Sequence, residues 1–220
     1  MGDSINITIY TANFGGYDTV KPVTVKGKFF YFTDQDITID GWRVKKITPA
    51  LDSRREARYW KINSHLVDKD ADYTIWVDAS FHIIGDLKEL VKGVETVACY
   101  KHGTIYLSNN CIYDEAEVCA GSKLDNPAVI RKQVERYKNE DFPEKMGLFS
   151  TGIIVRKNTP RVRHFNEAWW YEVDHGSYRD QLSQMYASWR TGVNIQEIKE
   201  GNVYQNGFVT RTNHINNKKT

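Results

Sequence analysis

Apolar and polar residues alternate over 5–12 (INITIYTA), and the run then meets a glycine turn, NFGGYD. Period-two alternation stopped by glycine predicts a strand feeding a turn. Residues 28–34 (KFFYFTD) and 42–48 (WRVKKIT) read as a second and third strand. The pattern then changes period. Residues 51–70 (LDSRREARYWKINSHLVDKD) read as a helix capped by Asp52 or Ser53. Strands return at 73–78 (YTIWVD) and 94–100 (VETVACY). Residues 111–141 read as helices split at Asp125-Asn126-Pro127. A strand at 151–157, helices at 160–176 and 177–192, a short strand at 194–198 and a polar tail complete the pattern. Strand–helix alternation of this kind predicts an α/β sandwich with a mostly parallel sheet in one domain over 1–210, followed by the tail at 211–220. Ligands of such sheets bind beyond the carboxyl ends of the strands.

Acids stand where ligands of that kind would be met. Asp18 follows the first strand, Asp34 the second and Asp78 the strand 73–78. Each alone is a common turn residue. Together on one sheet edge they point to a polar ligand carrying hydroxyls, phosphates or a metal. The helix at 51–70 adds Arg54, Arg58, Lys61 and His65, spaced to share one stripe. Like charges on one stripe repel unless something negative faces them, so this is either a solvated face or a diphosphate contact. The stretch GLFSTGIIV at 147–155 reads as a small-residue turn before a strand, suited to close backbone approach. Arg179, Asp180 and Gln181 open a helix, where the helix dipole favours an acid. Trp169 and Trp170 are adjacent, so one of them is free to face a sugar or a neighbouring helix.

Composition narrows the picture in a few places. The 220 residues carry thirteen Tyr, nine Phe and six Trp, too many aromatics for a disordered chain. The net charge of +2 does not demand a nucleic-acid partner. Cys99, Cys111 and Cys119 lack metal-site spacing and read as reduced core thiols of a cytoplasmic protein; a zinc site with His102 is the alternative. No signal peptide or membrane span is expected, and Asn6 stands where a myristoylation site wants Ser or Thr.

The motifs YTANFGGYD, YFTD, REARYWKINSHL, YTIWVDASFHI, CIYDEAE, LFSTGIIVR and SYRDQLS occur in that order. As an ordered set over residues 5 to 192 they resemble the glycosyltransferase-like family of the plant mucilage-related proteins, among the GT-A (Rossmann-like) nucleotide-sugar enzymes. The resemblance implies a nucleotide-sugar donor, a UDP-sugar first, and a sugar-accepting hydroxyl. Thr11, Ala12, Asn13 and Asp34 would embrace the nucleoside, and Arg58 and Lys61 would approach the diphosphate. Asp78 would take the first place of an Asp-x-Asp motif holding manganese or magnesium. Thr151, Gly152, Trp170 and Arg179 would line the acceptor side, with Asp180 and Gln181 at the reacting carbon.

Ser80 departs from the pattern, standing where most such enzymes carry the second Asp. A hydroxyl is a weaker, neutral ligand. The metal would then be held weakly, recruit His82 or His214, or be replaced by the Arg/Lys stripe. The expected acceptor is a glycan or glycolipid. A hydroxymethylated DNA base in a viral setting, and so a host cytoplasm, is the further option. It needs a basic surface beside the sugar site, for which Lys101, His102, Arg156, Lys157, Arg161, Arg163 and Lys218-Lys219 are available. Two rivals stand beside transfer: a nucleotide-sugar binder without activity, and a hydrolase. No HExxH or GxSxG motif supports the latter.

Overall fold

The structure, a computed structural model, describes residues 5–102 and 110–211. Seven strands form one sheet: β1 (Ile7–Asn13), β2 (Lys28–Thr33), β3 (Arg43–Lys46), β4 (Tyr73–Val77), β6 (Val97–Lys101), β7 (Phe149–Lys157) and β8 (Ile195–Glu197). Their order across the sheet is β3-β2-β1-β4-β7-β6-β8. β7 runs against both its neighbours, and the other pairings are parallel. The mostly parallel α/β architecture expected from strand–helix alternation is thus the one formed. A separate pair, β5 (Phe81–Ile83) and β9 (Val209–Arg211), is antiparallel.

Alternation along the strands sorts side chains onto two faces. Tyr10, Trp76, Cys99 and Ile154 share one core with Ile62, Phe165, Trp169 and Leu182 from the helices. That face carries α1 (Ser53–Ile62), α2 (Ile112–Gly121), α3 (Pro127–Asn139), α4 (Pro160–His175) and α5 (Gln181–Thr191). Ile9, Ile75, Ile153 and Tyr100 point the other way, against Phe81, Ile83, Leu87, Leu90 and Val209. The second face is therefore closed by the small β5–β9 sheet and a 3-10 turn at Leu87–Val91 rather than by long helices.

Several expected boundaries move, each for a local reason. The helix expected over 51–70 ends at Ile62. Asn63 leaves helical geometry at ψ 54° and its side chain donates to Tyr59 O at 3.0 Å, closing the last turn. His65 therefore falls in the following 3-10 turn and off the helical stripe. Asn126 does cap α3, accepting from Ala128 N, with Pro127 at its first turn, as the break at 125–127 predicts. The Ser150-Thr151-Gly152 stretch is not a turn, because β7 begins at Phe149. A Cβ on Gly152 would lie 2.9 Å from the Phe81 ring and 3.1 Å from Val203 Cγ2, so that glycine answers a packing demand. The helix expected from 177 begins at Gln181 with Asp180 as its cap. The first residue of the expected tail, Arg211, ends β9 and pairs with Phe81 of β5; residues 212–220 lie outside the described residues.

Candidate active site

At the carboxyl edge of the parallel strands, β1 ends at Asn13 and β4 ends one residue before Asp78. β7, running the other way, begins there. Asp78 N donates to Gly152 O at 2.8 Å, which joins the end of β4 to the start of β7. Trp76 and Asp78 stand two residues apart and face the same side. Trp76 Nε1 donates to Asp78 Oδ1 at 2.7 Å.

Lys61 comes to this edge on the last turn of α1. Tyr10 of β1 anchors that turn, its hydroxyl donating to Lys61 O at 2.8 Å. The Lys61 side chain is 1% exposed. Its Nζ lies 2.7 Å from Asp180 Oδ2, 3.2 Å from Asp78 Oδ1 and 3.1 Å from Thr151 Oγ1. Arg58, one turn earlier on the same face, places Nε 3.5 Å from Asp180 Oδ1. Asp180 is fixed from two sides. Trp169 Nε1 of α4 donates to its carbonyl at 2.8 Å, and its own carboxylate caps Gln181 N at 3.1 Å. Gln181 Nε2 donates to Phe149 O at 2.9 Å and ties α5 to the start of β7.

Burial would raise the Asp180 carboxyl, but the Lys61 ammonium and Arg58 guanidinium outweigh it and hold the group at about 2. The negative charge that the cationic stripe required is thus supplied within the chain, by Asp180 and Asp78. Arg54 at the outer end donates to Tyr178 Oη at 2.6 Å.

Two hollows open around this cluster. One, of about 430 Å³, is lined by the β1 turn (Asn13, Gly15, Asp18), the outer face of α1 (Arg54, Arg58) and Trp76. The other, of about 320 Å³ and far more polar, is lined by Lys61, Asp180, Gln181, Glu115, His102 and Tyr204, among others. Tyr17, Arg58, Asp78, Ser80 and Arg179 belong to both, so the hollows are one bent cleft with Asp78 at the bend. Volumes of this size match small-molecule sites.

The chain was compared with known proteins. Residues 4–214 match the TOD1/MUCI70, glycosyltransferase-like domain. The chain belongs to that family. A curated TOD1/MUCI70 relative, the probable hexosyltransferase MUCI70 of Arabidopsis thaliana, is 27% identical over 214 residues. That match takes in 80% of this chain and 36% of the relative, so the chain spans about a third of that protein's length. Among solved structures, the apo form of the bifunctional glycosyltransferase WbbM superposes with a TM-score of 0.49 at 12% identity, over 90% of this chain and 39% of that one.

Within the TOD1/MUCI70 domain, most of the residues named from sequence meet. Ala12, Asn13, Arg58 and Asp78 line the first hollow, and Lys61, Thr151, Gly152, Asp180 and Gln181 the second. Others do not reach the cleft wall. Thr11 is buried beneath it. Asp34 instead accepts from Gly15 N at 3.0 and 3.1 Å, holding the β1 turn through a glycine at φ +69°. Trp170 packs edge-on against Tyr59, ring centroids 5.2 Å apart, as an interhelical contact between α1 and α4. Trp169 is buried with its indole on Asp180, so neither tryptophan offers a sugar-facing surface.

Of the basic residues named for DNA, His102 lines the polar hollow, while Lys101, Arg156, Lys157, Arg161 and Arg163 line neither hollow. Arg156 is 0% exposed, and Lys157 pairs with Tyr73 at the opposite end of β4 from Asp78. Lys101 pairs with Glu197 at 2.9 Å and Arg163 with Glu167 at 2.8 Å. Lys218 and Lys219 lie outside the described residues.

The metal reading was tested on the ligands themselves. Asp78 Oδ1 already receives the Trp76 indole and the Lys61 ammonium. A divalent cation on that oxygen would be repelled by a positive charge 3.2 Å away from it. Ser80 brings no charge, His82 lies on β5 outside both linings, and His214 lies outside the described residues. Among the described residues, no three His, Cys, Asp or Glu side chains gather as ligands would. These residues do not fit a divalent cation. The thiols are buried and free, and burial pushes Cys99 up to about 12.

Sequence reasoning missed Trp76, Glu115, Tyr178, Tyr204 and Arg211. Trp76 was legible, since a residue two before a strand-ending acid shares its face. Tyr204 and Arg211 carried no signal, because Arg211 reaches the cleft through the β5–β9 pairing and Tyr204 through its ring contact with Phe81.

Proposed function

We propose that this domain moves a hexosyl group from a nucleotide-sugar to an acceptor hydroxyl. The observation that carries the reading is the bent cleft itself. A roomier arm along the β1 turn meets a polar arm at the point where Lys61, Asp78 and Asp180 converge. The family and the hexosyltransferase relative supply the reaction class. The first arm takes the nucleoside, a uridine first, beside Ala12 and Asn13. The polar arm takes the sugar and the acceptor, a glycan or glycolipid, beside Thr151, Gly152 and Gln181.

In the transfer, the bond between the anomeric carbon and the diphosphate oxygen breaks, and its electron pair leaves with the phosphate. The acceptor oxygen bonds to that carbon, and its proton passes to the departing phosphate oxygen. Donors and cations aimed at the leaving oxygens lower the barrier. A general base works best with a pKa near the working pH. Asp180, held at about 2 by Lys61 and Arg58, is a poor base. Its role is the other one open to a carboxylate here: a fixed negative charge facing the positive anomeric carbon.

The test pairs a donor screen with one variant. Thermal shift against nucleoside diphosphates and nucleotide-sugars should pick out one base. Asp180→Asn should keep that shift and lose transfer by roughly a hundredfold or more. Wild-type transfer by Asp180→Asn would overturn its role. A wild-type chain that shifts but makes no product with any acceptor would be a binder. Release of free sugar or cleavage of an amide without an acceptor would mark a hydrolase.

A further inference from the structure

The donor reading leaves one question in the cleft: what neutralises the diphosphate when the carboxylates do not fit a metal? Asp78 and Asp180 both face Lys61 Nζ, at 3.2 and 2.7 Å, so an ammonium stands where a cation between the two acids would go. The ammonium donates to Asp78 Oδ1 and to Thr151 Oγ1, the latter at 3.1 Å, and meets Asp180 as an ion pair. Lys61 is thus turned onto groups of its own chain, and its charge is balanced by the two acids.

Two guanidinium groups beside it each keep one nitrogen without a hydrogen bond. Arg58 Nε and Arg179 Nε are both buried with no hydrogen-bond partner. The 3.5 Å approach of Arg58 Nε to Asp180 is an ion pair without hydrogen-bond geometry. Buried donors are nearly always satisfied, so these two leave hydrogen-bonding capacity in side chains that line the cleft. Both arginines line both arms, which is where a group joining nucleoside to sugar must lie. Guanidinium is suited to phosphate oxygens by its planar fork.

The charge balance agrees. Six cationic side chains line the cleft: Arg54, Arg58, Lys61, Lys123, Arg179 and Arg211. Against them stand four carboxylates, Asp18, Asp78, Glu115 and Asp180. Six less four leaves two positive charges among the described residues, which matches the two negative charges of a sugar-linked diphosphate. A divalent cation would overshoot.

Resting on the donor reading, we propose that the Lys61 ammonium takes the place of a divalent cation between Asp78 and Asp180. Arg58 and Arg179 then receive the diphosphate directly, so that the domain holds its donor without metal. Ser80 fits this arrangement. With an ammonium already bridging the acids, a second Asp at position 80 would add an uncompensated charge.

The experiment uses inorganic pyrophosphate as a base-independent probe, alongside a panel of nucleoside diphosphates. Both are titrated calorimetrically into the full chain in excess chelator, then again with magnesium supplied. Binding in chelator is expected, weakened about tenfold or more in Arg179→Gln and partly kept in Arg179→Lys. Binding that appears only with magnesium would overturn the proposal while leaving the donor reading intact. No binding of any probe in either condition would remove both.

A second variant supplies an independent readout. Lys61→Ala frees the two carboxylates, so manganese alone should raise its melting temperature while leaving the wild type unmoved. A wild type that manganese stabilises as strongly as the variant would overturn the proposal. Where Lys61→Ala does not fold, Arg179→Gln and the wild-type response to manganese carry the test.

Discussion

Lys61 and Arg156 are both buried cations on the same face of the same sheet, and Tyr10 touches both. Its hydroxyl donates to Lys61 O and receives Arg156 Nη1 at 3.2 Å, and burial pushes it up to about 12, so it remains a neutral donor. There the likeness stops. Lys61 meets two carboxylates and a hydroxyl at the mouth of a cleft. Arg156 lies near the end of β7 away from the cleft, with its guanidinium 5.6 Å above the Trp169 ring, and its Nε and Nη2 have no partner. Among the described residues no acid pairs with it. Burial of a charge is therefore not what marks the site. The mark is opposite charge converging from separate elements at an opening, an arrangement that has a use only when something enters.

The largest break in that comparison should come from Lys61→Met. It strands Asp180, 5% exposed, against Asp78 with no ammonium between them. Removing one partner of a buried ion pair costs about 3–5 kcal/mol. Urea unfolding at neutral pH should show that loss, and adding Asp180→Asn should restore much of it. A loss under about 1 kcal/mol would mean that the ammonium is not what holds the acids together.

Acid should act next. Asp180 sits at about 2 in the folded chain against an ordinary 3.8. A depressed carboxylate contributes stability that is complete above its unfolded value and is lost as pH falls through its folded value. The window is therefore pH 4 down to 2, and the contribution about 2 kcal/mol. Unfolding curves across that window should fall more steeply for the wild type than for Asp180→Asn. Parallel curves would contradict the Lys61–Asp180 geometry.

The smallest effect is expected at the other cation. Arg156→Met keeps the length of the side chain, removes a buried charge that has no acid, and leaves the Tyr10 hydroxyl bonded to Lys61 O. Stability should change by no more than about 1 kcal/mol, and donor binding should stay within about twofold. A loss as large as that of Lys61→Met would show that the two cations are alike after all.

Much of the frame was legible because its signals are local. Alternation marked β1, β2 and β4, and Asn126-Pro127 marked the break between α2 and α3. The errors are local conflicts that tertiary contacts resolved. Asn63 ends α1 early by bonding back to Tyr59, and Gly152 reads as a turn glycine but is small because Phe81 packs against it. The site was legible in part. Arg58, Lys61, Asp78 and Asp180 were named for their residue types and positions. Their use was not, since the sequence left the stripe open between a solvated face with acidic neighbours and a diphosphate contact, and only the tertiary contacts show which acids it meets.

What the amino-acid sequence by itself determined is the set of parts: strands ending in acids, a helix carrying cations one turn apart, a neutral Ser80 two residues after Asp78, and a helix opened by Asp180. Periodicity and capping depend on neighbours a few residues away, so they can be read along the chain. The tertiary structure alone decided which parts touch. The order β1-β4-β7 brings Asp78 beside the start of β7, Trp169 presents Asp180 to Lys61, and β9 carries Arg211 to the same cleft. Those meetings join segments far apart in the chain. Local pattern is silent about them because the pairing of strands is chosen by the packing of the whole sheet.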